Sequence, residues 1–120
     1  MASNVVYTTS IKEKALNKKN NMRAWGNRLV KSPKLEDYEK ALQKHFKATA
    51  QAAPWIGPIK LSVVFTFGDK RRRDIQNCFD ILCDAMNGII YLDDSQIEVL
   101  EGRKKYSKDV WLIEIIVELL

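Results

Sequence analysis

The sequence predicts an α+β fold: a single domain, residues 1–120, with two main helices on one mixed β-sheet. Three observations carry this. Apolar and polar residues alternate over Ile59–Phe67 and again over residues 111–119, the period of a half-buried strand. Apolar residues recur three and four apart over Leu35, Tyr38, Leu42 and Phe46, and again over Ile75, Phe79, Leu82 and Met86, the period of an amphipathic helix. The helices lie between strands in chain order, which favours one shared sheet over a separate bundle. The 120 residues are 46% hydrophobic and 29% charged, enough for one core without metal or disulfide staples. That composition excludes a wholly disordered chain. No apolar run approaches the ~18–20 residues of a membrane-spanning helix.

Residues 5–10, Val-Val-Tyr-Thr-Thr-Ser, are the expected first strand. Residues 12–34 are polar, basic and rich in asparagine, and read as a long loop or arm. A loop of that length in a compact domain is more often functional than not. Ser32-Pro33 opens the first helix, the hydroxyl as N-cap and the proline in the first turn; that helix ends before Pro54. Trp55-Ile56-Gly57-Pro58 is a turn, and Gly68-Asp69 closes the next strand. Asp74 is the expected cap of the second helix. Asn87-Gly88 is its stop, with Gly88 free to turn left-handed. Residues 89–92 and 95–100 read as strands around an Asp93-Asp94 bend, and Gly102-Arg103-Lys104-Lys105 as a basic turn. The run 110–120 is so apolar that it belongs at the sheet centre or under a partner subunit, because a bare edge of that kind invites aggregation.

Lys and Arg number 20 against 15 Asp and Glu, a net charge of +5 that suits a polyanionic partner such as nucleic acid. The distribution is sharper than the sum. Residues 12–34 hold eight basic residues and one acid, Glu13. Residues 74–101 hold Asp74, Asp80, Asp84, Asp93, Asp94, Glu98 and Glu101 and no base, directly after Lys70-Arg71-Arg72-Arg73. Helical steps of four place Gln76, Asp80 and Asp84 along one face, opposite the apolar stripe. Asp93 and Asp94 follow closely enough to return beside that helix. Converging carboxylates repel unless a cation compensates, and Mg²⁺ takes oxygen ligands from a few carboxylates, water and phosphate. Arginines beside such a site would pair with a phosphate backbone, while the metal polarises a phosphate and activates water. The alternative is a solvated acidic helix face next to a solvated arginine loop.

The ordered set Arg71-Arg72-Arg73-Asp74-Ile75-Gln76-Asn77, Asp84-Ala85-Met86-Asn87-Gly88 and Tyr91-Leu92-Asp93-Asp94-Ser95-Gln96-Ile97 resembles the RusA family of Holliday-junction resolvases. These are small crossover-junction endodeoxyribonucleases, common in phages and prophages. The likeness is strong over residues 70–105 and weaker at Asn17 and over residues 28–32, where Arg28 and Lys31 lie. It implies a RusA-like, homodimeric enzyme of DNA recombination and repair that uses Mg²⁺ or Mn²⁺ to make paired nicks in four-way junctions. Its acidic sites would lie near the dimer interface. By this resemblance Asp74 and Asp94 are catalytic metal ligands, and Asp93 is a further candidate ligand. Arg71, Arg72 and Arg73 would contact phosphate, with Lys104, Lys105, Arg28 and Lys31 as further DNA contacts. Two positions depart from the family pattern. Gln76 stands where the second aspartate of the first motif belongs, and its carbonyl oxygen is a weaker ligand. Asp80 stands where the family has a lysine, one turn beyond Gln76, and could supply the missing carboxylate. The readings left open are a relocated metal site, a weakened enzyme, and a catalytically inactive junction-binding relative.

Other residues carry less. Trp25, among Arg23, Asn27 and Arg28, could stack on an unpaired base or wedge a junction open, but packing on the sheet is the expectation. His45, the only histidine, reads as structural. Cys78 and Cys83 fit neither a metal-ligand spacing nor a local disulfide, and no nucleophilic constellation accompanies them. Trp55 and Trp111 read as core or interface residues. With no basic-then-apolar segment near Met1, the cysteines are expected to be reduced, in a cytoplasmic protein. A basic RNA-binding domain is a third reading, without the aromatic surface motifs of the common RNA modules.

Overall fold

The computed structural model describes residues 4–18, 20–52 and 54–120. The elements run β1 (Val5–Ile11), β2 (Met22–Trp25), β3 (Arg28–Lys31), α1 (Pro33–Thr49), β4 (Ile59–Phe67), α2 (Gln76–Met86), a 3₁₀ turn (Asp94–Gln96), β5 (Ile97–Tyr106) and β6 (Leu112–Leu119). The fold is α+β, with a mixed four-stranded sheet in the order β1-β6-β4-β5 and a separate β2-β3 hairpin. β6 runs antiparallel to both β1 and β4, while β5 is parallel to β4. A parallel pair needs a crossover, and α2 supplies it.

Alternation decides which side of the sheet is covered. Ile59, Leu61, Val63, Phe65 and Phe67 of β4 and Ile113, Ile115 and Val117 of β6 are buried in one core with both helices. α1 starts as its sequence demands: the Ser32 hydroxyl accepts a hydrogen bond from the Leu35 N–H at 3.2 Å, with Pro33 beside it. Its Leu35, Tyr38, Leu42 and Phe46 are buried. Polar contacts fix α1 over β1, Tyr7 Oη to Thr49 Oγ1 and Thr9 Oγ1 to His45 Nε2, each at 2.6 Å. α2 docks through Phe79, edge-on to Phe65 with ring centroids 5.4 Å apart. Gly102 of β5 lies beneath it: a Cβ there would come within 2.8 Å of the Phe79 ring.

Four expectations change. Residues 12–34 are not simply a loop, because they contain the β2-β3 hairpin. Its strands are too short and basic to show an alternating pattern, although Gly26-Asn27 between them is a hairpin signal, with Gly26 at φ +59°. Residues 89–92 are not a strand; they turn, and Tyr91 makes only isolated bridges to Trp55 and Asn87. The basic turn at 102–105 is instead the continuation of β5, because Gly102 marks a close approach of Phe79 rather than a bend. Asp74 does not cap α2: the cap position is Ile75, with no side-chain hydrogen bond. β6, in contrast, lies inside the sheet between β1 and β4, and Gly88 takes φ +74° after α2. No helix among the described residues is long and apolar enough to cross a membrane.

Candidate functional site

The loop from β4 to α2 is built around one carboxylate. Asp69 accepts from the Arg71 backbone N–H at 3.0 Å and takes both arms of the Arg73 guanidinium. Arg73 holds the Asp69 carboxyl well below its usual range, down to about 2. The same guanidinium lies over Phe67 and Trp111, 4.9 and 5.1 Å from their centroids, and Lys104 Nζ donates to its backbone carbonyl at 3.0 Å. Arg73 is therefore an anchor whose charge Asp69 already balances. Lys70, Arg71 and Arg72 are exposed. With Lys104, Lys105 and Tyr106 they line a groove of about 350 Å³, in which Lys70 sits over the Tyr106 ring. Because β5 continues through residues 102–105, its two lysines stand beside the arginine loop. Across Arg71 and Asp69 opens a second cavity of about 340 Å³, lined also by Lys14, Lys34, Asn17, Asn20 and Asn21. Asn17 shapes its wall, accepting from the Asn20 N–H and the Asn21 amide, both at 2.7 Å.

The acids lie on the exposed side of α2 and in the 3₁₀ turn. Asp80 and Asp84 are exposed one turn apart, and Asp94 is half-buried. Burial first, then the nearby Asp94 and Asp80 carboxylates, push the Asp84 carboxyl upward. Among the described residues none of Asp74, Asp80, Asp84 and Asp94 has an ion-pair partner. Asp93 is different. It caps the turn, accepting from the Ser95 N–H at 3.0 Å, and hydrogen bonds from Ser95 lower its carboxyl. Gln96 completes the fastening: its side-chain oxygen accepts from the Leu92 and Asp93 N–H groups, and its amide donates to the Trp55 and Gly57 carbonyls. Within Asp93-Asp94-Ser95-Gln96, the Asp93 and Gln96 side chains build the turn, while the Asp94 side chain takes part in no hydrogen bond or ion pair among the described residues.

The family model described as Endodeoxyribonuclease RusA matches residues 13–118, nearly the whole chain. The chain belongs to the RusA endodeoxyribonuclease family. No curated protein matches it. In this RusA chain the first motif supplies the groove arginines and Asp74, the second closes α2 at Met86 with Gly88 just past its Asn87 cap, and the third forms the turn that carries Asp94. Asp74 is exposed, two residues after the groove residue Arg72 and just before α2. Gln76 and Asp80 follow on α2, and Asp80 shares the electrostatic neighbourhood of Asp94, since both act on Asp84. Among the described residues no group of three or more His, Cys, Asp or Glu side chains could enclose a metal ion. Mg²⁺ commonly takes only one or two carboxylates and completes its shell with water and substrate phosphate, so the oxygen donors Asp74, Asp80 and Asp94 would be of the chemical type it uses.

Of the other sequence candidates, Lys31 pairs with Glu39 at 2.9 Å, a hydrogen bond that raises its pKa, so part of its charge is spent within the fold. Arg28 stands exposed at the hairpin tip. Trp25 does not pack on the sheet: it is 74% exposed beside that tip. Cys78 and Cys83 are free and buried, and burial pushes both thiols up to about 11, which leaves them inert as nucleophiles. Sequence reasoning passed over Lys70 and Asp84 as site residues. The basic run and the four-residue spacing were the signals that contain them.

Proposed function

We propose that this protein is a structure-selective DNA endonuclease that cuts four-way junctions by paired, metal-dependent phosphodiester hydrolysis, in recombination and repair. The observation that carries this is the RusA family match over residues 13–118. The basic groove, whose Arg72 lies two residues before Asp74 in the chain, supports it. Lys70, Arg71, Arg72, Lys104 and Lys105 bind backbone phosphates as a row of charges and so set the register of the duplex arm. Asp74 and Asp94 would hold Mg²⁺ or Mn²⁺, with Asp80 in place of the carboxylate that Gln76 lacks. A metal there supplies a polarised phosphate and a water of lowered pKa. Asp93 serves by fastening the turn that presents Asp94. Two copies would present two such sites to the two opposed strands. The exposed Val99 and Leu100 on the edge strand β5, with Ile116 on the uncovered side of β6, support a homodimer.

Gln76 and Asp80 favour one second reading, a junction-binding relative that does not cut. An end-labelled synthetic four-way junction, incubated in Mg²⁺ and then Mn²⁺ beside linear duplex and an Asp94→Asn control, separates the two. Symmetric nicks that vanish in Asp94→Asn establish the nuclease. Tight junction binding without nicks in either metal leaves the second reading. Metal binding has its own readout. Millimolar Mn²⁺ should raise the melting temperature of the wild-type protein and not that of Asp94→Asn, because a ligand of the folded state stabilises it by mass action.

A further inference from the structure

The β2-β3 hairpin has no role in the site above. Trp25 and Leu29 are 74% and 72% exposed, the two most exposed large hydrophobic residues among the described residues. The register pairs Trp25 with Arg28 and Arg23 with Val30, so the indole shares one hairpin face with two guanidiniums. Met22 and Leu29 belong to the opposite face, and Met22 packs on the core. Gly26 makes the tight reversal, and a Cβ there would meet nothing within 4 Å, so the tip stands in open solvent. The base of the hairpin is held firmly: Ser32 N–H donates to the Asn21 carbonyl at 2.9 Å, and Lys31 pairs with Glu39 on α1. Residues 22–31 carry three basic side chains and no acid. A hairpin anchored at its base, with an aromatic tip flanked by cations, matches a nucleic-acid base with its phosphates. The same charge opposes docking on a second copy of a chain whose net charge is +5.

We infer that the hairpin reads the branch point: Trp25 stacks on a base left without a stacking neighbour at the crossover, while Arg23 and Arg28 hold the adjoining phosphates. Regular duplex offers no free base face, so this contact distinguishes a junction from its arms, whereas the basic groove binds both. The inference rests on the junction-DNA reading above. Its test uses fluorescence anisotropy, in EDTA to prevent cutting, with a four-way junction and a linear duplex of the same arm sequence. Trp25→Ala should weaken junction binding at least about fivefold, in keeping with the loss of one base–aromatic stack. The ratio of junction to duplex affinity should fall by the same factor, and Trp25→Phe should restore most of it. 2-Aminopurine placed at the branch point should change emission with the wild-type protein and much less with Trp25→Ala. Melting temperatures of the variants should match the wild type, because the side chain is exposed. An unchanged ratio with the wild type still selecting the junction overturns the hairpin's role alone. Wild-type binding to neither DNA overturns the junction reading together with it. A shift from dimer to monomer in Trp25→Ala would assign the tip to a subunit contact and also overturn the inference.

Discussion

Asp69 and Arg73 show how a charge in the loop before α2 can be structural while its neighbours stay available. Asp69 titrates well below its ordinary value because Arg73 binds its carboxylate. A folded-state pKa lower than the unfolded one adds stability above the unfolded value, near 4, and that stability fades as the pH falls toward 2. The loop should therefore loosen in that window, and Trp111, which stacks on Arg73, reports it by fluorescence. Asp69→Asn should show the loosened signal at pH 7 and lose the acid transition. Asp84 has the opposite sign. Its carboxyl is raised by burial and by Asp94 and Asp80, so its ionised form disfavours the folded state at neutral pH. Asp84→Asn should raise the melting temperature at pH 7, and the gain should shrink as the pH is lowered through the titration of Asp84. Thermal melts across that range, without divalent metal, check both sign and window.

The helices depend on a few contacts whose removal has a readable cost. Ser32 is buried and caps α1, so Ser32→Ala should destabilise the protein by about 1 kcal/mol in urea titration. Gly68 ends β4 against Trp111, where a Cβ would fall 2.5 Å from the indole nitrogen. Gly68→Ala must displace that ring and the Arg73 stack on it, at a cost of about 1–3 kcal/mol. Elements with a long regular period were legible from sequence: α1, β4, α2 and β6 each bury a stripe that the pattern already shows. The hairpin and the second half of β5 were not. Arg23, Arg28 and Lys31 hide the first, since basic side chains facing solvent leave no period to detect. Gly102 disguises the second, because only the fold reveals Phe79 above it. The site divides the same way. Asp74, Asp94 and the arginine run are visible as a motif. That Asp93 caps a turn, that Arg73 is already neutralised and that Lys104 and Lys105 join the arginine groove depend on contacts between residues distant in sequence.

Taken as one body, the molecule carries both a cationic groove and a set of acids that form no ion pair among the described residues, and the two should separate in a salt titration. Lys105→Ala should weaken junction and duplex binding alike and lower the steepness of log affinity against log salt by about 1, the signature of one phosphate contact. Light scattering at micromolar concentration should return twice the subunit mass if β5 and its exposed Val99 and Leu100 meet a second copy. The sheet order also has a consequence in time. Among the described residues β1 pairs only with β6, with Val5 opposite Glu118. At about 5–20 residues per second of synthesis, the first strand waits roughly 5–20 s for its neighbour to be made. Until then β4 also lacks the β6 partner along one edge, and an unpaired apolar strand is an aggregation hazard. A chain truncated before Leu112 should therefore fail to assemble the sheet, since among the described residues β1 and β4 are joined only through β6.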